Sequence, residues 1–569
     1  MSKHPQIAHA STEADSSSSS DDGSNSSLQV KEAHILQERR IGLLGAISLI
    51  VNKIIGAGIF STPTSIFKLS GSPGLALILW VVAGVISTCG AMVLLEFGSG
   101  IPRSGGMKVY LERCFSPRLL VTCVYLFYCA ILRGSSLLFF SISLQLLIWL
   151  FTTETSASNA ITASSYILKA ASVDSTTWKL RGLAISAVSF AVGIHTVAPR
   201  VGRGLQDVLS IVKLFTLFFI VCTGFAALGG HLRVPKPDNL SVSSSFRGTS
   251  SSGYNIGTAL LDAIFSFQGY DNLNAVATTH AVLSEVKNPQ RTLRIALPTA
   301  MSLVTVLYVL ANIAYFAGVS REDFLASDLT IAASLFNNVF GNSAAIKALP
   351  ALVAISAIGH LLGVAFTVCM YRRFVASFIS QVRGLYEMTA RVLQELAKDG
   401  VTPFPNIVMQ NRPFKTPISA LAIHLGVSII LICAPPAGAA FDFVVGLGTY
   451  PTVFLLTFVT IGLIKLRLLK DEDFQSNFRV PWLILGFYLA SNIFLLVMPF
   501  IPPSSGKGNT SLPYYLSPVV ALAILAVGVI YYTIRFVLLP WVFGYKLESV
   551  VVDLSDGSQV SRYKIKKTT

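Results

Sequence analysis

The stretch Ile55-Gly56-Ala57-Gly58-Ile59 interrupts the first long apolar segment of the chain. The apolar residues Leu49-Ile50-Val51 precede it, and Ser61-Thr62-Pro63 follows before the apolar pattern resumes. Glycine weakens a helix, serine or threonine caps a new one, and proline is favoured in a first helical turn. The pattern therefore predicts a helix that stops and restarts. The alternative is a packing motif of small residues within a continuous helix.

The composition around this break is that of a membrane protein. Hydrophobic residues make up 53% of the 569 residues and charged residues only 12%, unlike a soluble domain. The apolar residues come in blocks that match the length of about 20 residues needed for one helical crossing, whereas barrel strands are shorter and alternate. We therefore predict an all-α membrane protein with about twelve transmembrane helices.

The apolar blocks define twelve candidate crossings. They span residues 42–69, 74–101, 119–150, 182–198, 205–229, 254–279, 295–319, 346–368, 416–435, 441–466, 480–501 and 514–540. Lys and Arg dominate the loops after the second and sixth crossings, which marks these loops as cytoplasmic. Both termini are thus predicted to be cytoplasmic, and the glycosylation sequons at Asn239 and Asn509 fall in loops on the outer side.

Charge and motifs exclude several other classes of protein. The net charge of +15 comes from residues beside the apolar blocks, so it indicates membrane topology rather than nucleic-acid binding. The seven cysteines show no CxxC pair or metal-ligand spacing. The chain also lacks the HExxH, P-loop and nucleophile-elbow patterns. We predict that it is not an enzyme and uses no cofactor or metal.

A second interruption lies in the sixth crossing, at Phe265-Ser266-Phe267-Gln268-Gly269-Tyr270-Asp271-Asn272. A glycine and several polar side chains occupy positions where hydrocarbon is expected, and Asp271 or Asn272 is placed to cap the restarting half-helix. Irregular backbone at this depth is tolerated where it lines a cavity or is buried in protein. Breaks in the first and sixth crossings are what an inverted repeat of five plus five helices predicts, with the substrate site between them.

Four motifs resemble those of a known family. They are Ile55-Gly56-Ala57-Gly58-Ile59-Phe60, Gly71-Ser72-Pro73-Gly74, Ser104-Gly105-Gly106 and Glu285-Val286-Lys287-Asn288-Pro289-Gln290-Arg291-Thr292-Leu293. On these motifs the chain resembles the amino acid–polyamine–organocation superfamily, specifically the L-type amino acid transporter branch and its fungal methionine-permease-like members. The resemblance implies a leucine-transporter-type fold with discontinuous helices 1 and 6.

The same resemblance implies a domain organisation. A ten-helix inverted-repeat core is expected in residues 41–466, and two additional transmembrane helices in 467–540. Residues 1–40 are Ser-rich and polar, which predicts a disordered cytoplasmic tail. Residues 541–569 are expected to form a cytoplasmic C-terminal tail.

The resemblance also implies where an amino acid binds. Backbone N–H groups that contact its carboxylate are expected from Gly56, Ala57, Gly58 and Ile59. Carbonyls that accept its ammonium group are expected near Ile54, Ile55, Phe265 and Ser266, with Phe267 and Gly269 completing the site. The open N–H groups at the start of a half-helix favour an anion, which agrees with the first of these roles.

Four residues are predicted to control transport. Lys213 lies inside the fifth crossing, where it must pair with carbonyls, contact water or lose its proton. The resemblance implies a further role, since in related transporters a lysine at this place takes the position of a sodium ion. We expect it to bridge the first helix to the fifth or eighth, either as a proton-coupling group or as a permanently charged strut. Phe265 matches the family's gating aromatic, with an ordinary packing role as the alternative. Glu285 and Arg291 are expected to form ion pairs at the inner gate or to lie on a solvated face.

Two segments depart from the family pattern. About 22 residues, 368–389, and a smaller surplus near 277–281 are extra relative to the family. Our hypothesis is a retained intron or a mis-annotated splice, which sequencing of the transcript would test. If the segments are genuine, they change the helix register at the inner gate.

These features predict a secondary transporter that imports neutral L-amino acids across the plasma membrane by alternating access, with proton symport. Methionine or a similar apolar or thioether amino acid is the expected substrate. The expected partners are this substrate, a proton and the lipid bilayer, with no nucleic acid and no obligatory protein subunit. The alternatives are a nutrient receptor that binds an amino acid with little or no transport, and a uniporter or exchanger of other neutral amino acids.

Overall fold

A computed structural model describes residues 43–101, 107–127, 154–270, 289–341, 343–369, 418–436, 438–469, 474, 476–503, 510–553 and 559–567. The α-helices in these ranges are α1 (Leu43–Ile54), α2 (Gly58–Ser70), α3 (Pro73–Gly100), α4 (Met107–Cys114), α5 (Arg118–Phe127), α6 (Glu154–Ala170), α7 (Thr177–Val197), α8 (Pro199–Leu228), α9 (Gly253–Phe267), α10 (Pro289–Gly318), α11 (Arg321–Ala326), α12 (Ile331–Phe340), α13 (Ser343–Cys369), α14 (Ile418–Cys433), α15 (Ala440–Leu468), α16 (Trp482–Val497), α17 (Leu516–Tyr532) and α18 (Leu539–Phe543). A 3₁₀ turn (Met498–Phe500) extends α16, and a π-helix (Thr533–Leu538) joins α17 to α18.

The described helices account for the predicted crossings. Eight helices in these ranges are long and apolar enough to span a bilayer, and the bent pair α1 and α2 makes a ninth. The third, sixth and ninth predicted crossings are each described over part of their length, by α5, α9 and α14. Together they correspond to the twelve crossings expected from the apolar blocks.

The first crossing is broken, but the second half begins earlier than predicted. Helix α1 ends at Ile54, α2 begins at Gly58, and the two axes differ by 54°. The expectation that Ser61-Thr62-Pro63 would start the second half-helix is wrong, because these residues lie inside α2. The Thr62 hydroxyl donates to the Gly58 carbonyl at 3.0 Å, so it is used within the helix instead of capping it.

Helix α6 lies in a stretch that was predicted to be a loop, after the third crossing at 119–150. It is buried and packs against α7, α13 and α15. Its sequence, ETSASNAITASSYILKA, is rich in serine, threonine and alanine, so hydropathy alone does not reveal it. Small residues of this kind let neighbouring helices approach closely.

The Asn239 sequon does not serve as a test of topology. The side chain is only 7% exposed, and its Nδ2 atom donates hydrogen bonds to the carbonyls of Phe316 at 3.0 Å and Val319 at 2.7 Å. This is the nitrogen that a glycan would modify, so the folded site is closed to glycosylation. Asn509 lies outside the described residues.

A buried ion pair joins the ends of α3 and α15. Glu96, 1% exposed, accepts from Arg467 Nε at 2.9 Å and also from the Nη2 atom. The backbone N–H of Val480 donates to the same carboxylate at 2.7 Å, and the Val480 carbonyl accepts from Arg467 Nη2 at 2.8 Å. The guanidinium lies 5.1 Å from the centre of the Trp482 ring. This Glu96–Arg467 pair thus ties three segments together.

The C-terminal segment contains a β-hairpin that the sequence analysis did not predict. Strand β1 (Tyr545–Asp553) pairs antiparallel with β2 (Gln559–Lys567), with Tyr545 opposite Lys567 and Asp553 opposite Gln559. Outside this hairpin, the regular elements in the described ranges are helical. Part of the expected tail is therefore ordered secondary structure.

Candidate functional site

The two interrupted helices meet at their breaks. Helix α9 ends at Phe267 and turns at Gln268 and Gly269. A Cβ atom placed on Gly58 would lie 2.5 Å from the Ser266 Oγ and 2.8 Å from its Cα, so only glycine allows this approach. The Ser266 hydroxyl also lies 3.0 Å from the Thr62 hydroxyl. The start of α2 and the end of α9 therefore form one continuous site.

Gly269 holds the other side of this junction. Its φ angle of +122° is in a region that favours glycine. An added Cβ atom would lie 2.9 Å from the Lys53 carbonyl oxygen, near the end of α1. A side chain is thus excluded both by backbone conformation and by space.

Carbonyls from both breaks converge on one hydroxyl. The Tyr308 hydroxyl of α10 lies 3.0 Å from the Ser266 carbonyl oxygen and 3.4 Å from that of Ile54. A carbonyl oxygen has two lone pairs, so each remains able to accept a further hydrogen bond. The arrangement is suited to an ammonium group, which carries three donors and no acceptor.

Two more tyrosines contact carbonyls of the first turn of α2. Pro63 has no N–H to donate to the Ile59 carbonyl one turn earlier, and the Tyr315 hydroxyl lies 3.4 Å from that oxygen. Tyr166 of α6 donates to the Phe60 carbonyl at 3.1 Å. None of the three tyrosines was predicted as a site residue, because each lies in a helix whose packing partner cannot be recognised from the sequence.

The start of α2 offers open N–H groups. The first N–H groups of a helix have no carbonyl one turn earlier to which they could donate. Here the Phe60 N–H donates to the Ala57 carbonyl at 3.0 Å, and the N–H groups of Gly58 and Ile59 come before it in the helix. The break itself is buried among small residues: Ala57 packs with Ala163 of α6 and Ala357 of α13. Open donors at a buried helix start can bind a carboxylate.

The two aromatic residues predicted for the site, Phe265 and Phe267, have different surroundings in the structure. Phe265 is 7% exposed and packs edge to face on Phe441, at the start of α15, with ring centres 6.4 Å apart. The Phe267 ring is fully buried against Trp80 and Tyr308. The Phe267 side chain thus belongs to the core, and a role of its backbone in binding stays a prediction.

Lys213 connects α8 to the end of α1. Its side chain is 4% exposed, and Nζ donates to the Asn52 carbonyl. This carbonyl lies within one helical turn of the break. The contact is of the kind expected from the sequence, and the role of the lysine in coupling stays a prediction.

We expect Lys213→Met to lower uptake by about 5- to 150-fold, because an unsatisfied buried carbonyl costs about 1–3 kcal/mol and would disturb the break. The measurement is initial-rate uptake corrected for the amount of protein in the membrane. Lys236→Met is the matched control, since Lys236 donates to the Leu228 carbonyl at 3.2 Å but is exposed. Equal uptake by both variants would contradict a role for Lys213.

Several predicted residues cannot be placed. Glu285, Asp271 and Asn272 lie outside the described residues, as do 277–281 and 370–389. Arg291 is described only as part of the backbone of α10. Among the described side chains, no three His, Cys, Asp or Glu residues group as metal ligands do.

Comparisons with known proteins agree on one family. Residues 41–526 match the family model described as amino acid permease. The high-affinity methionine permease of Saccharomyces cerevisiae is 34% identical, over 91% of this chain and 83% of the yeast protein. The low-affinity methionine permease of the same yeast is 29% identical, over 98% and 93%. The b(0,+)-type amino acid transporter 1 of Mus musculus is 27% identical, over 84% and 86%.

Proposed function

Because this chain belongs to the amino acid permease family, we propose that it imports neutral L-amino acids, among them methionine and similar apolar or thioether compounds. Transport proceeds by alternating access across the plasma membrane, with both termini in the cytoplasm. The names of the relatives support the substrate class, since two are methionine permeases and a third is an amino acid transporter.

One observation carries this proposal: the two breaks touch, and together they present one set of backbone N–H donors and one set of carbonyl acceptors. Gly58 and Ile59 lie at a helix start with open N–H groups, and the carbonyls of Ile54 and Ser266 converge near Tyr308. A zwitterion presents a carboxylate and an ammonium group a short distance apart, so its two ends fit these two sets. The site recognises what all amino acids share.

The remaining roles extend the proposal. Phe265, packed on Phe441, covers the substrate from the outer side, and Glu285 with Arg291 holds the inner gate. The Lys213 ammonium takes the place of a sodium ion beside the Asn52 carbonyl, so transport needs no sodium and is driven by protons. No obligatory protein subunit is required.

Uptake of labelled L-methionine in cells that lack their own permeases tests the proposal. We expect saturable uptake that competes with other apolar L-amino acids and is insensitive to replacement of sodium. Methionine amide lacks the carboxylate charge and 4-(methylthio)butanoate lacks the ammonium group, so each should compete poorly. The absence of saturable uptake for every amino acid would refute transport.

A further inference from the structure

His360 of α13 lies directly on the first helix break. A Cβ atom placed on Gly56 would be 3.1 Å from His360 Cε1, 3.2 Å from Nε2 and 3.3 Å from Nδ1. The imidazole therefore covers Gly56, two residues before the open N–H groups of α2. The side chain is partly exposed although Gly56 is buried. The His360 residue is thus not fully sealed in the core.

The neighbouring residues place Lys213 close to this histidine. A Cβ atom on Gly359 would lie 2.6 Å from that of Leu209, and Leu209 is one helical turn from Lys213 on the same side of α8. Lys213 in turn donates to Asn52, one turn before Gly56. Helices α1, α8 and α13 therefore meet at one level.

Among the described side chains, the charged groups that act on His360 are of one sign. Lys213 and Lys53 both act on the imidazole electrostatically. Of the other elements packed on α13, helix α12 carries no ionisable residue in its described sequence, while the side chains of Asp207 in α8 and His424 in α14 lie outside the described residues. The described ionisable side chains next to this level are His195 of α7, which lies 2.9 Å from the Leu362 carbonyl, Tyr166 of α6, which donates to Phe60, and Tyr308 of α10, which lies 3.4 Å from the Ile54 carbonyl.

This arrangement links the protonation of His360 to the binding of a carboxylate. Two ammonium groups oppose a third positive charge on the imidazole, whereas a carboxylate at Gly58 and Ile59 offsets them. Linkage is reciprocal, so a substrate that favours the imidazolium must bind more tightly when the imidazole is protonated. Histidine is the side chain whose charge changes most readily near neutral pH.

We propose that His360 takes up the proton that accompanies the amino acid, and that the substrate carboxylate and the proton stabilise each other at the Gly56 break. The inference rests on the proposed transport of amino acids and adds the residue that couples it to protons. In each cycle the imidazole gains a proton from the outer solution and releases it to the cytoplasm after the carboxylate has left. Lys213 keeps its contact with Asn52 throughout.

The test uses the full-length protein reconstituted in liposomes that contain a pH-sensitive dye. Labelled L-methionine uptake gives KM at pH 5.0 and pH 7.5, and the dye reports methionine-driven proton entry. For the wild-type protein we expect KM to rise about tenfold or more between these pH values, within the usual range of coupling between two sites, about 5- to 150-fold. For His360→Gln we expect a KM ratio of about 1 and loss of methionine-driven proton entry.

His231→Gln is the matched control, because His231 is an exposed histidine after α8; it should keep the wild-type ratio. Methionine counterflow in the His360→Gln liposomes reports whether the variant is folded. A His360→Gln protein that keeps the wild-type KM ratio and proton entry would overturn the proposal. Wild-type uptake with no pH dependence would also overturn it while leaving amino acid transport intact. Absence of uptake by the wild-type protein would instead refute the proposed function.

Discussion

Substituting Gly58 with alanine is expected to lower methionine uptake by about 100-fold, because the added methyl group displaces one helix break from the other. The new Cβ atom would lie 2.8 Å from the Ser266 Cα, and a backbone atom cannot rotate away as a side chain can. A displacement on the order of 1 Å between binding groups is enough for a loss of about this size. The measurement is initial-rate uptake, corrected for protein at the cell surface.

Gly182→Ala is the matched control for this variant. Gly182 lies in α7, and a Cβ atom there meets no atom within 4 Å. Alanine is the better helix former by about 1 kcal/mol, so this variant should fold and transport like the wild-type protein. Normal uptake by Gly58→Ala would mean that the contact between the two breaks is not needed for binding.

Replacing Glu96 with glutamine is expected to destabilise the fold by about 3–5 kcal/mol, the usual cost of removing one partner from a buried ion pair. Glutamine keeps the shape but leaves the Arg467 guanidinium, 11% exposed, without its counter-charge. Three segments lose a common anchor, because Val480 donates to the same carboxylate. Thermal unfolding of the purified protein in detergent gives the change in stability.

An exposed ion pair supplies the control. Lys68 Nζ lies 3.0 Å from Asp328, but the two side chains are 32% and 81% exposed. Such pairs contribute about 0–1 kcal/mol, so Lys68→Gln should unfold close to the wild-type temperature. If Glu96→Gln were as stable as Lys68→Gln, the buried pair would have no special role in holding α3 to α15.

The membrane architecture could be read from the sequence because each crossing is a long apolar block with polar ends. The break at Gly56 and Gly58 was also visible, since glycines followed by proline are unusual inside an apolar block. The start of α2 was misplaced by a few residues, because the Thr62 hydroxyl bonds within the helix. The sequence around the break thus located the break, but not the residue at which the second half-helix begins.

The walls of the site could not be predicted in the same way. Tyr308, Tyr315 and Tyr166 are far from the breaks along the chain and meet them only through tertiary packing. Helix α6 lacks a strong apolar signal, so its place beside the break was hidden. In the sequence His360 is an isolated polar residue, and only the structure shows its contact with Gly56. Chemistry that depends on distant contacts requires the structure.

The three tyrosine hydroxyls bear on how tightly the membrane is sealed. A broken helix at membrane depth needs partners, either in the protein or in a water-filled cavity, for the backbone carbonyls that it exposes. Here the carbonyls of Ser266, Ile59 and Phe60 each meet a tyrosine hydroxyl, so a closed binding site can be dry. Each carbonyl that a tyrosine satisfies is one that needs no water molecule, and fewer water molecules at the break leave fewer steps along which a proton could leak.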